Sequence, residues 1–294
     1  IYRQPNIARE FLVNLIEDKT AAQESWQFTV LRAGIDKFSE SASSWLKRNF
    51  LTWQPTVKPV TYYTPEFLSY YAVEDCVAKC RAYVEENGSY VQSDLELGTL
   101  SHGKVWTMPM QYGVIAGKLG KMPSYYDVWV EDAAGTRLTY IQRYYASDIR
   151  SEEEQWVLFE NSLGGIDTFR AYGDAENTAK HTHNVAEIEN DSEEYRVDTV
   201  REYKKNTGFL SKEERKWLLD FFPSLGKFLY IGNYVRRIVV TESDVSWQTK
   251  DLPSSYTFTY KYADARPYLN IIRSEDAAPA MLDIKIPDVG SFTI

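Results

Sequence analysis

Few side chains in this 294-residue sequence could do chemistry, and their spacing limits what that chemistry is. His181-Thr182-His183 puts two imidazoles on one face of a strand, a possible metal pair, and Asp174, Glu176, Glu187 and Glu189 could add oxygen ligands. The competing reading is a solvated acidic loop that happens to carry histidines, and it weighs more. His102 stands alone beside Gly103 in a turn. With three histidines and no Ser or Cys in a partnered motif, hydrolysis by a triad is disfavoured. Glu66, Glu160 and Asp167 lie on or beside aromatic runs and supply the material of a glycosidase pair. Turn capping, or pairing with Arg143 or Arg170, accounts for them more simply. Gly164-Gly165 is no phosphate loop, because no Lys-Ser/Thr follows and no helix opens there. Cys76 and Cys80 lack the Cys-x-x-Cys spacing of metal and redox sites. On an alternating strand they share a face with Ala78, Ala82 and Val84, about 7 Å apart, and read as separate buried thiols. No catalytic residue and no cofactor is assigned. His181 and His183 remain the weak metal candidates.

The elements that would position these residues centre on Trp156 to Gly173, which reads as strand, tight turn and strand. Both faces of Trp156–Glu160 are largely apolar, as in a strand covered on two sides. Asn161-Ser162-Leu163-Gly164-Gly165 supplies residues that accept a positive φ, and Asp167 follows in the second strand. Asn161, Gly164, Gly165 and Asp167 are therefore predicted as a structural turn.

Aromatic content is 15%, with 22 Tyr, which favours a mainly β chain and could also serve an interface. Net charge is −9, of which −1 falls in residues 1–150 and −8 in the rest. Neither half carries the basic footprint of a nucleic-acid binder. No apolar run reaches the length of a membrane span. The chain starts at Ile1, so the N-terminus leaves secretion open.

In chain order, residues 1–25 read as an N-terminal arm in which Phe11, Leu12, Leu15 and Ile16 form a helical turn or an irregular patch. Trp26, Phe28 and Val30 alternate as a half-buried strand. A strand is predicted entering Phe50-Leu51-Thr52-Trp53, a helix around Trp45 and Leu46 being the alternative. Pro59 confines Val57–Tyr63 to an edge or a bulge. Asn87-Gly88 predicts a hairpin. Tyr112–Ile115 reads as another short run, and Tyr125–Glu131 with Arg137–Tyr144 as a hairpin. Together these predict a β-sandwich, Ig-like, over 26–147. A second β-rich domain follows over 148–272. Asp174–Glu194, with seven acids and one Lys, reads as an exposed excursion. Ser211-Lys-Glu-Glu214 is a capping box that opens one amphipathic helix over about 211–222. A tail over 273–294 holds a strand at 282–286.

Phe50-Leu51-Thr52-Trp53-Gln54-Pro55, Thr64-Pro65-Glu66-Phe67-Leu68 and Phe159-Glu160-Asn161-Ser162-Leu163-Gly164-Gly165-Ile166-Asp167-Thr168 together resemble a family of uncharacterised proteins encoded in gut-anaerobe prophages and related phages. Asn206–Ser211 leading into Trp217–Phe222, with Ser224, Tyr230 and Ser246-Trp247, is similar in layout to domains of phage tail and baseplate proteins. The resemblance covers roughly 45–270. It implies a non-catalytic structural protein that contacts copies of itself or other tail proteins, in a virion or in the cytoplasm during assembly. The alternative is a glycan-binding module that stacks sugars on Trp53, Tyr62, Tyr63, Tyr70 and Tyr71. A glycoside hydrolase ranks third.

Overall fold

The computed structural model describes residues 2–3, 7–16, 23–32, 34, 41–188, 191–231, 234–245, 252–264, 283–286 and 290–293. Its N-terminal elements are β1 (Tyr2–Arg3), β2 (Ala8–Ile16), β3 (Gln23–Leu31), α1 (Ala42–Arg48), β4 (Val57–Val60), β5 (Phe67–Ala72), β6 (Cys76–Glu86), β7 (Ser89–Leu100), β8 (Lys104–Pro109), α2 (Tyr112–Leu119), β9 (Tyr125–Asp132) and β10 (Gln142–Ala146). Then come β11 (Gln155–Glu160), β12 (Ile166–Ala171), β13 (Ala175–Ile188), β14 (Asp191–Asn206), α3 (Lys212–Leu218), β15 (Lys227–Ile231), β16 (Tyr234–Asp244) and β17 (Thr257–Tyr262). β18 (Asp283–Ile286) and β19 (Gly290–Thr293) end the chain. Residues Ile1–Ala263 form one compact unit and Asp264–Ile294 another, in which β18 and β19 pair as a hairpin. The chain is mainly β, a sheet-on-sheet layer followed by a β-rich sheet.

The first layer pairs a five-stranded sheet, ordered β4-β10-β9-β6-β7, with a three-stranded sheet, β1-β8-β5. The alternation of β6 explains the packing. Cys76, Ala78, Cys80 and Ala82 point inward, small enough to let Tyr126, Tyr144 and Tyr70 fill the space between the sheets. Both cysteines are free, and burial pushes each thiol up to about 12. Asn87 and Gly88 take φ of 51° and 77° and turn β6 into β7. β4, with Pro59, is an edge strand parallel to β10.

The second sheet has seven strands, ordered β12-β11-β15-β16-β17-β14-β13. α3 lays Trp217 and Leu218 on Phe159, Phe169 and Phe258, with Phe221 at the centre of edge-to-face contacts. The capping box forms as the sequence predicts: the Glu214 amide donates to Ser211 Oγ, and the Ser211 amide to Glu214 Oε2. The helix stops at Leu218, short of the expected 222. The amides of Asp220 and Phe221 bond back three residues, to Trp217 and Leu218, and tighten the last turn.

Other expectations are corrected. Residues 42–48 are helical because Ser41 caps the Ser44 amide, and Phe50 and Leu51 are buried as irregular chain. Residues 112–119 are a helix because Tyr112, Ile115 and Ala116 share a buried face and Gly120 closes the end at φ 65°. The patch Phe11–Ile16 is a strand, since β2 pairs along its length with β3. Trp26, Phe28 and Val30 do alternate on a strand, β3, as expected, each nearly half exposed. The strand at 283–286 has a partner at 290–293. Glu189 and Ser246-Trp247 lie outside the described residues.

Two ribbons leave the sheets. Among the described residues β2 and β3 pair only with each other, and β14 pairs with β17 over Tyr203–Asn206 alone. From Thr178 and Glu202 outward, β13 and β14 are a two-stranded ribbon with an irregularity at Asn184/Val185.

Removing the cap of α3 tests its share in holding the second core. Ser211→Ala is expected to lower the unfolding free energy by about 1 kcal/mol, read as a lower urea midpoint at unchanged slope.

Candidate functional site

The turn between β11 and β12 is the point where the parts of the first unit meet. Asn161 is buried and organises it. Its side-chain oxygen accepts the amides of Leu163 and Gly165, and its side-chain nitrogen donates to the Leu51 carbonyl and to Asp167 Oδ1. The flanking residue reaches outward. The Ser162 amide donates to Asp220 Oδ2, Trp53 Nε1 donates to Ser162 Oγ, and the Gly34 amide donates to the Ser162 carbonyl. The turn thus fixes the root of the β2–β3 ribbon, the segment after α1 and the segment after α3. Gly164 has φ 84°, and a Cβ there would stand 2.6 Å from the Arg32 carbonyl oxygen. At Gly165 a Cβ would stand 2.3 Å from the Leu51 carbonyl oxygen. Two glycines are required because two backbones touch the turn.

Below it lies a buried polar cluster. Lys58, Glu66 and Asp167 are 4%, 0% and 1% exposed. Lys58 Nζ donates to Gln54 Oε1 at 2.8 Å, to Glu66 Oε1 and Oε2 at 2.8 and 2.9 Å, and to the Thr168 carbonyl at 2.6 Å. It also sits 4.7 Å from the centre of the Trp217 ring. Trp217 Nε1 donates to Asp167 Oδ2 at 2.7 Å, and Thr168 Oγ1 donates to the Pro65 carbonyl. Gln54 Nε2 donates to the Tyr144 hydroxyl. Burial outweighs the attraction of Lys58 and pushes the Glu66 carboxyl up to about 7. Burial likewise raises Asp167, against hydrogen bonds from Trp217, Thr52 and Asn161 and the charge of Lys58.

The structure brings Glu66 and Asp167 together around Lys58, as buried carboxylates with no opening to solvent. Glu160 stands apart, partly exposed beside Arg32 in a shallow recess of about 260 Å³. The carboxylates do not meet the arginines named in the sequence. Arg143 holds Asp127, and Arg170 holds Glu154. Lys58 was not singled out in the sequence, although a signal exists: it lies two residues from Val60 on a strand, so it shares the face that turns inward. Trp217 lies at helical spacing with Leu218, Phe221 and Phe222, so the predicted helix turns it inward; Gln54 and Tyr144 carry no such signal.

The other candidates are surface features. His181 and His183 lie side by side on the outer ribbon, ring centres 6.5 Å apart. His181 Nδ1 is bonded to Thr199 Oγ1, and His183 Nδ1 to Glu194. Among the described residues no three His, Cys, Asp or Glu gather into a metal-binding group. His102 lies exposed in a turn whose amide donates to Asp75. The aromatics proposed as a sugar platform are dispersed. Tyr70 is fully buried in the first core, and the rings of Tyr62 and Tyr63 stand at 75° to each other. A recess of about 350 Å³ on the outer face of β6, β7 and β9 is lined by Lys79, Arg81, Asp94, Glu96, Trp129 and Glu131. Its cations are already matched, Lys79 with Glu96 and Arg81 with Asp94.

Gly165→Ala is expected to cost about 1–3 kcal/mol in unfolding free energy, since backbone must shift to admit the methyl group. Gly117→Ala, in exposed helix with nothing within 4 Å of the added Cβ, is the control and is expected to be neutral or stabilising by up to about 1 kcal/mol. Glu66 sets a pH dependence. Its folded value, about 7, exceeds the ordinary 4.5. The proton held in the fold therefore contributes stability that is fully present below about pH 4.5 and is lost as pH rises through about 7. The unfolding free energy from urea titrations at pH 5 to 8 is expected to fall by an amount on the order of 2 kcal/mol, and Glu66→Gln is expected to flatten that pH dependence.

Among described helices none is long and apolar enough to cross a membrane. In comparisons with known proteins, no family model, no curated protein and no solved structure matches this chain.

Proposed function

We propose that this chain is a non-catalytic structural protein that docks onto neighbouring subunits in a phage-tail-like or prophage-encoded particle. The observation that carries the reading is the β2–β3 ribbon. Residues opposite each other in an antiparallel pair share a face, and the faces alternate along the strands. One face holds the pairs Arg9 with Val30, Phe11 with Phe28, Val13 with Trp26, and Leu15 with Glu24. The other carries Ala8 with Leu31, Glu10 with Thr29, Leu12 with Gln27, Asn14 with Ser25, and Ile16 with Gln23, so its apolar residues are separated by polar ones, although Leu12 and Ile16 are 65% and 62% exposed. The first face is apolar along its middle, and Phe11, Val13, Leu15, Trp26, Phe28 and Val30 are 40–55% exposed. An isolated two-stranded ribbon is marginal in water, and an apolar strip of this kind marks a contact site.

The buried cluster supports the same reading. Its carboxylates and ammonium are used up in holding two sheets together, which suits a rigid body carrying arms. The resemblance of the central segment to phage-encoded proteins supplies the kind of assembly.

The test is the composition of particles. Particles induced from cells that carry the gene and purified by density gradient are expected to contain this chain at a fixed ratio to the other structural proteins. Its absence from such particles, with the chain abundant in the same cells, removes the reading.

A further inference from the structure

The charges at the two ends of the apolar face specify what covers it. Arg9 lies at the root of the strip and Glu24 near its tip, with the apolar pairs between them. The strip is therefore self-complementary when turned end to end. We propose that the apolar face of the β2–β3 ribbon packs against the same face of a second copy of this chain, antiparallel, about a two-fold axis.

The geometry follows from the register. Same-face pairs are spaced about 7 Å along a strand, and facing sheets stand about 10 Å apart. Reversing one ribbon on the other lays Phe11 and Phe28 of one copy over Val13 and Trp26 of the next. The Phe11 and Phe28 rings already stack, with centres 5.7 Å apart, so the two rings form one contiguous aromatic centre of the strip. At each end Arg9 of one copy comes within reach of Glu24 of the other, twice by symmetry. A parallel arrangement would set Arg9 against Arg9 and Glu24 against Glu24. Charge thus selects one orientation.

The area sets the strength. Six half-exposed apolar side chains offer roughly 500 Å² per copy, about 1,000 Å² in total, near the lower bound of specific interfaces. The pairing is then concentration-dependent and tightens when other contacts hold the copies side by side. This inference rests on the assembly reading for its setting and names the partner surface within it.

Sedimentation of the full chain over roughly 1–200 µM, at low salt, tests it. The expected result is a monomer–dimer equilibrium that Phe28→Glu weakens by about 100-fold. Arg9→Glu and Glu24→Arg are each expected to weaken it by about tenfold, and the double exchange to restore it to within about threefold. These side chains are exposed, so the thermal midpoint of each variant is expected to match the parent and serves as the check on folding. A chain monomeric throughout the range, a dimer indifferent to Phe28→Glu, or a double exchange no better than the single ones overturns the inference. Each of these leaves the particle-composition result standing, and absence from particles leaves the dimer result standing.

Discussion

The structure depends on one ammonium group. Lys58 is taken out of water and given a carboxylate, an amide oxygen, a carbonyl and an aromatic ring in exchange. Gln54 and Glu66 come from the first layer of the fold, Thr168 and Trp217 from the second. A buried charge is tolerated only when its partners are all in place, and removing one partner strands the rest. The two layers therefore need each other in a way that apolar contact alone would not require. Residues 26–147 and 148–272 read as separate domains in the sequence, and a cut between them would leave Lys58 and Asp167 facing an empty boundary.

The turn above the cluster applies the same logic with neutral groups. Asn161 satisfies two amides and a carbonyl while steadying Asp167, so the polar demand of a sharp turn is met from within. Gly164 and Gly165 then let neighbouring chain approach closer than any side chain permits. The ribbon root at Arg32 and Gly34 is fastened there. An arm anchored through backbone contacts to a rigid turn keeps its direction, which a flexible linker would not provide.

Much of this was legible in the residues. The alternation of β6, the Asn87-Gly88 turn, the Ser211 capping box and the strand–turn–strand at 156–173 are local signals, and each forms as its chemistry demands. What was hidden was non-local. Nothing near Phe11 says that its strand partner is Phe28 rather than a helical neighbour. Tyr112 to Leu119 carries two glycines that weaken a helical signal, and tertiary burial of Ile115 and Ala116 overrides them. Lys58 is an ordinary surface residue by type; its spacing from Val60 gives the face it shares, but that this face of β4 meets the second sheet is non-local. The carboxylates of Glu66 and Asp167 were visible as candidates, but their meeting around a lysine was not.

The two free thiols of β6 have a practical consequence. Cys76 and Cys80 lie in the middle of the first core, and burial keeps both protonated at neutral pH. Neither can react with an alkylating reagent until β6 parts from its neighbours. The rate of thiol modification in the intact chain is therefore a clock for the opening of that layer, carried by the protein itself without any introduced label.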